Sequence, residues 1–326
     1  MTAPTPAGKK ERRHVDGVLL LDKPVGITSN AALQRAKRAF RADKAGHTGT
    51  LDPLASGLLP ICFGEATKFS QGLTDAVKAY RANIRLGIVT ETGDAEGRVV
   101  ATRAVSCGPE ELEQAMAAFR GDIFQIPHRF SALKRGGRAL YDYARAGESV
   151  DIAPRPIRID ELVIEEWQSP VATVHVRCSK GTYVRSLAES IGERLGCGAH
   201  VAALRRLSVG RLHLDHAVTL EALEATNETE RDALLLPITV LVDGLDRIEL
   251  EAAAAARFMH GLAIRMQSGR VLEPDLPVAV FAEDSSNRAP KRFLGLGRRV
   301  DQDGAQLLAP ARLLATREQP AAPCDP

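Results

Sequence analysis

Hydrophobic and polar positions along this chain follow two periods. Residues 80 to 86 place Tyr80, Ala82, Ile84 and Leu86 on one side and Arg81, Asn83 and Arg85 on the other. That period of two predicts a strand with one buried face. Residues 172 to 178 repeat it with Ala172, Val174, Val176 and Cys178. The run Gly17-Val-Leu-Leu-Leu-Asp22 predicts a short buried strand leading into the turn Lys23-Pro24-Val25-Gly26. Elsewhere the period is helical. Ala32, Leu33, Ala36 and Phe40 follow Thr28 and Ser29, either of which offers an N-cap. Pro109, Glu110 and Glu111 open a helix carrying Leu112, Ala115, Met116 and Phe119. Ser179-Lys180-Gly181-Thr182 turns into a helix striped by Val184, Leu187, Ala188, Ile191 and Leu195.

These strands and helices mix without a regular βαβ cadence, which predicts an α+β fold rather than a doubly wound parallel sheet. The 326 residues suggest about two domains. Residues 220 to 247 read as an acidic connector with one helix and a break at Leu236-Pro237. From Ile248 the pattern changes to an Ala-rich helix and short apolar runs near Val278 to Phe281 and Arg292 to Gly297, the signature of a small, mostly β module. The expected organisation is a basic arm without structure over residues 1–14, a main domain over 15–247, a module over 248–316 and a tail over 317–326.

Charge adds a direction to this picture. Residues 1 to 60 hold ten Lys/Arg against five acids, and residues 221 to 251 hold nine acids against Arg231 and Arg247. Such asymmetry points to a polyanionic partner. Arg35, Lys37, Arg38 and Arg41 lie off the apolar stripe of the first helix; a solvated basic face is the plainer reading, a nucleic-acid-facing helix the sharper one. Five scattered cysteines without a C-x-x-C pair argue against zinc and against a disulfide framework, and fit reduced thiols in the cytoplasm. No apolar stretch is long enough for a signal peptide or a membrane span.

Candidate chemistry begins at Asp52, the only carboxylate between Asp43 and Glu65, in a loop rich in Gly and hydroxyl residues. Pro53 holds it extended, and Gly46, Gly49 and Gly57 permit tight turns and close approach. The competing reading is a loop Asp that caps a turn. Tyr80 at a strand start and Arg185 at a helix start have complementary chemistry. A guanidinium keeps a carboxylate ionised and oriented, and a tyrosine stacks on a planar ring and exchanges a proton. Against these stand an ordinary core aromatic and an i,i+4 pair of Arg185 with Glu189.

Several segments then resemble the TruB family of bacterial tRNA pseudouridine synthases, in the family's order over about residues 15 to 215. They are Gly17-Val-Leu-Leu-Leu-Asp-Lys-Pro24, Ala45 to Pro60 around the Asp52 loop, Gly64-Glu-Ala-Thr-Lys68 and Lys78-Ala-Tyr-Arg81. Phe130-Ser-Ala-Leu-Lys134, Cys178 to Arg185, Gly196-Cys-Gly-Ala-His200 and Leu204-Arg-Arg-Leu207 complete the set. The resemblance implies a pseudouridine synthase fold, with a mixed, largely antiparallel sheet flanked by helices. It implies that Asp52 is the catalytic aspartate, that Arg185 pairs with it, and that Tyr80 stacks on the target uracil and assists proton removal. His47, Tyr183 and Leu204 would form the uridine pocket and help hold the flipped-out T-loop, and Lys23 and Pro24 of the first motif, which supports the Asp52 loop, are grouped with them as substrate-binding residues. The implied reaction is isomerisation of the tRNA T-loop uridine, position 55, by base flipping and without cofactor or metal. The expected partner is the T-arm of tRNA, acted on by a monomer with no obligatory protein partner. The C-terminal module is similar to the PUA domain, an RNA-binding β-barrel, in which Arg265, Arg270, Lys291, Arg292, Arg298 and Arg299 are candidate phosphate contacts. Ten basic and ten acidic residues after position 247 leave that module without a net field. Competing readings are an RNA-folding protein on the same scaffold, a hydrolase with an aspartyl nucleophile, and a guide-RNA-dependent relative.

Overall fold

A computed structural model describes residues 11–131, 133–266, 273–274, 276–283, 291–302 and 305–315. The expected C-terminal tail, most of the basic arm, and the candidate phosphate contact Arg270 lie outside the described residues. The end of the arm is tied down: Arg13 Nε donates to Phe40 O at 2.9 Å, and His14 bridges Asp16 and Asp43.

The main sheet begins with β1 (Gly17–Lys23), followed by α1 (Ser29–Ala39), β2 (Ala45–His47) and β3 (Ala55–Phe63). Thr28 caps α1, accepting from Ala31 N at 3.0 Å, and the helix buries Ala32, Leu33 and Ala36 as its spacing predicts. Next come α2 (Gln71–Asp75), β4 (Lys78–Leu86), α3 (Pro109–Ala117) and β5 (Gly121–Gln125). The strands β6 (Arg155–Gln168) and β7 (Val171–Cys178), the helix α4 (Val184–Arg194) and the strand β8 (Ala199–Val209) follow. Strand order along the sheet is β1-β3-β8-β4-β7-β6-β5, with β2 and three two-residue strands attached. Only β8 with β3, and β1 with Val218–Thr219, run parallel, so the sheet is mixed and largely antiparallel, as expected. Insertion of β8 between β3 and β4 joins two cores. One lies under β4, β7 and β6 with α3 and α4; the other lies under β1 and β3 with α1. Tyr80 and Leu204 pack against both cores.

The acidic connector lies against the basic first segment. Its helix α5 (Leu220–Ala225) packs on α1. Arg35 pairs with Glu224 at 2.5 Å, Arg41 with Glu228, and Arg13 with Asp232 at 2.5 Å. Much of the charge asymmetry read from the sequence is therefore matched internally, which corrects the picture of α1 as an open basic face.

The C-terminal module starts at β9 (Arg247–Leu250) and continues through α6 (Ala252–Met259) and β10 (Ile264–Arg265). The strands β11 (Val278–Ala282), β12 (Phe293–Gln302) and β13 (Ala305–Leu313) complete it. The strands order as β9-β11-β12-β13-β10. A core of Ile248, Leu250, Phe258, Val280, Leu294 and Leu308 belongs to the module. A second core is shared: Phe281 and Phe293 pack with Val18, Leu20, Leu58 and Phe69, the Phe69 and Phe293 rings lying 5.2 Å apart. Among the described residues no helix is long and apolar enough to cross a membrane.

Candidate active site

The loop that carries Asp52 is fixed at several points by backbone groups. Ser29, first residue of α1, donates its hydroxyl to Leu51 O at 2.9 Å and accepts from Leu51 N at 2.8 Å. Gly26 N donates to Pro53 O, and Ala55 N to Asp52 O. Gly49 and Gly57 both take positive φ, +80° and +102°. A Cβ on Gly57 would lie 2.3 Å from Arg206 O, so close pairing of β3 with β8 requires glycine there.

This anchoring presents Asp52 to Arg185 across a cleft of about 920 Å³. Arg185 Nη2 lies 2.8 Å from Asp52 Oδ2, and Nη1 lies 3.3 Å from Asp94 Oδ2. The same guanidinium donates to Thr92 O at 3.1 Å and Phe130 O at 2.9 Å. Arg185 is therefore engaged in the site and not with Glu189, which sits 3.6 Å from His128. Asp94 is 3% exposed and accepts from Thr92 Oγ1 at 2.5 Å and Glu96 N at 3.1 Å. Burial pushes the Asp52 carboxyl above the usual carboxylate range; Arg185 opposes that rise and Asp94 adds to it. The result is one guanidinium held between two carboxylates, of which Asp52 faces the open cleft.

Tyr80, Tyr183 and Leu204 line the same cleft. Tyr183 precedes α4, and its backbone is pinned at both ends by Gln125, which accepts from Tyr183 N at 2.8 Å and donates to Tyr183 O at 3.0 Å. Burial raises the Tyr80 phenol above its ordinary value, and Arg206 counters this by charge and by hydrogen bonding. Beneath the cleft, Lys78 Nζ donates to Leu73 O, Thr74 O and Ala76 O, closing the C-terminal end of α2; burial pushes its pKa down to about 8.

Three expected substrate-binding residues sit elsewhere. Lys23 is fully buried, with Nζ donating to Pro24 O at 2.8 Å and Ile27 O at 2.7 Å; burial holds its pKa down to about 8. It shapes the turn that meets the Asp52 loop and does not line the cleft, and neither does Pro24. Two of the three Lys23 N–H donors go to these carbonyls, which ties the side chain to the turn. His47 lies half-buried in β2 and does not line the cleft, with its buried Nδ1 unpartnered; burial and then Arg206 hold its imidazole below the ordinary value. Asp94, the Phe130 carbonyl, Gln125 and Arg206 were not singled out from the sequence. Phe130 and Arg206 did lie in quoted motifs, which was the available signal; Asp94 sits in a turn with the composition of any surface loop.

Comparison with known proteins identifies the family. Residues 37–184 match the TruB family pseudouridylate synthase N-terminal domain, and residues 185–243 match the tRNA pseudouridylate synthase B C-terminal domain. The tRNA pseudouridine synthase B of Burkholderia mallei is 52% identical over 320 residues, covering 97% of this chain and 99% of its own. That of Cupriavidus taiwanensis is 52% identical over 311 residues, covering 93% and 95%. Among solved structures, Cbf5 in an archaeal box H/ACA sRNP Nop10–Cbf5 complex superposes with a TM-score of 0.68 at 25% identity, covering 92% of this chain and 86% of that one. A Cbf5–Nop10–Gar1 complex gives 0.66 at 26% identity, covering 86% and 78%. With its motifs in order, its sheet of the expected kind and an aspartate–arginine pair at the cleft, the chain belongs to the TruB family of pseudouridylate synthases.

Proposed function

We propose that this enzyme isomerises the T-loop uridine of tRNA, position 55, to pseudouridine, acting alone on its RNA in the cytoplasm. The observation that carries this reading is the Asp52–Arg185–Asp94 cluster at the wall of a cleft lined by Tyr80, Tyr183 and Leu204. The tRNA substrate is supported by the tRNA pseudouridine synthases to which the chain is about half identical over nearly its whole length.

The reaction breaks the C1′–N1 bond, turns the uracil and forms a C1′–C5 bond; a proton then leaves C5. Reactants and products are isomers, so the chemistry calls for neither energy input nor a redox partner. A stacked T-loop base exposes neither N1 nor C5, so the nucleotide must be extruded, at a cost of about a few kcal/mol. Stacking on Tyr80 and contact with Leu204 offset that cost. Asp52 supplies the carboxylate at the reacting nucleoside. Arg185 keeps it ionised as RNA closes the cleft and removes water. Tyr80 stacks on the base and takes part in removing the C5 proton.

Release of tritium from RNA labelled at uracil C5 reads this reaction directly. Asp52→Asn is expected to abolish release from a bare tRNA transcript while leaving its affinity within about threefold of the parent. Appreciable turnover by that variant would remove Asp52 from the chemistry, and label release mapped outside the T-loop would overturn the substrate assignment.

A further inference from the structure

Arg206 is the bulkiest side chain that the described fold buries almost completely, at 1% exposure. A guanidinium out of water is costly unless its donors are satisfied. Nε donates to Leu58 O at 2.7 Å and Nη2 to Gly49 O at 3.0 Å. Those carbonyls stand on either side of the Asp52 loop, so one side chain ties the loop's entry to its exit. Backbone register repeats the connection. In β8, Arg206 pairs with Gly57 of β3 on one side and with Tyr80 of β4 on the other. Both Arg206 and Tyr80 line the cleft as directly opposed cross-strand residues, and the guanidinium partly offsets the rise that burial gives the phenol's pKa.

The charged groups around this contact have other partners. Lys23 and Lys78 donate to backbone carbonyls. The pKa of His47 is held down first by burial and then by the charge of Arg206. Asp52 and Cys178 also face Tyr80; the first pairs with Arg185, and the second is a buried thiol. A guanidinium has five N–H donors, and two backbone carbonyls take only part of that set.

We propose that Arg206 is a positioning residue: it holds the Asp52 loop at both ends and grips the Tyr80 hydroxyl, presenting that oxygen as the acceptor for the uracil C5 proton. This rests on the role given to Tyr80 above. In the step concerned, the C5–H bond breaks, its electron pair returns to the ring, and the proton passes to the Tyr80 oxygen. That oxygen enters the step as phenolate, having lost its own proton to solvent, and leaves as phenol. A guanidinium in contact stabilises the phenolate, so more of it is present at neutral pH.

Single-turnover tritium release across pH 6 to 9.5 tests this with Arg206→Met and Arg206→Lys, each alone and combined with Tyr80→Phe. Affinity for the RNA and thermal unfolding are measured alongside. For Arg206→Met the expected result is a rate about a hundredfold lower at neutral pH, with affinity within about threefold and the rising limb of the profile moved to higher pH. Arg206→Lys restores the cation without the two-ended clamp and recovers part of both the rate and the limb. In the Tyr80→Phe background either Arg206 substitution costs little more, because the group it serves is gone. Unmoved limbs, or losses that multiply in the double variants, would overturn the inference and leave Arg206 as a packing element. If Arg206→Met does not fold, the Lys variant decides on the same two readouts. Tyr80→Phe with a near-normal rate would instead sink the role given to Tyr80, independently of Arg206.

Discussion

Arg185 serves Asp52, Asp94 and two backbone carbonyls with one guanidinium. Its forked geometry is what lets one group meet four acceptors, so a lysine there is a poor replacement. The pH dependence follows from the direction of the Asp52 shift. Burial lifts its pKa above the ordinary carboxylate value while Arg185 pulls it back. In the proposed mechanism Asp52 acts ionised, so the expected rate falls as pH drops through that raised value. Removing the guanidinium removes the main restraint, and the acid limb moves further up. Arg185→Met is expected to show this in single-turnover rates between pH 4.5 and 8, with a loss of about a hundredfold or more at neutral pH. An acid limb in its original place would separate Arg185 from control of Asp52. At this scale the complementary types of Asp52, Tyr80 and Arg185 were legible in the sequence, with their roles supplied by the family resemblance. Arg206 was not legible as a site residue. Arg205 beside it pairs with Asp22 near the surface, and the register of β8 shifts after Arg206. Alternation of side chains cannot reveal which of two adjacent arginines turns inward when a bulge intervenes.

The strand β3 shows how much one position decides. Gly57 combines a φ of +102° with the backbone of Arg206 where its Cβ would be. Gly57→Ala therefore strains the backbone and pushes β8 away. A loss of roughly 2 kcal/mol or more in urea unfolding is expected, together with loss of tritium release. An alanine variant of parental stability would mean that β3 and β8 can separate without harm. The helix α1 makes the opposite point. Its stripe was readable from spacing, because local periodicity sets it, and its cap, Thr28, was one of the two candidates. The destination of its arginines was not, since Glu224 and Glu228 lie far along the chain. Arg35→Gln is expected to leave both RNA affinity and its salt dependence unchanged, because Glu224 already matches that charge. Arg155, exposed where it lines the cleft, is the contrast. Arg155→Gln should weaken binding and reduce the slope of log affinity against log salt by about one. Equal slopes for the two variants would contradict this division of the basic residues.

Across the whole molecule, the change of pattern at Ile248 marked where the second sheet begins, and β9 starts one residue earlier. What the pattern could not show is that the two sheets share a core. Phe69, Phe281 and Phe293 look like ordinary apolar positions in three distant segments, and only the tertiary fold stacks them. Phe293→Ala should cost roughly 3 kcal/mol or more. Because the hole opens onto the main sheet, the loss should register there as well. Trp167 is the chain's single tryptophan and lies in β6, away from the module. Its fluorescence midpoint in urea is expected to fall in the Phe293→Ala protein. A midpoint that stays put would mean that the module unfolds by itself.

The place of β8 between β3 and β4 has a consequence for how the catalyst comes into being on the ribosome. By the time residue 198 has been synthesised, Asp52, Tyr80 and Arg185 all exist in the nascent polypeptide, yet the strand that joins their two halves has not been made. The growing chain thus carries all three side chains before the sheet that brings them to one cleft can close. The two halves of the main sheet can be joined only after residues 199 to 209 have been made and have left the ribosome, so the order of synthesis sets the order in which the cleft can be assembled.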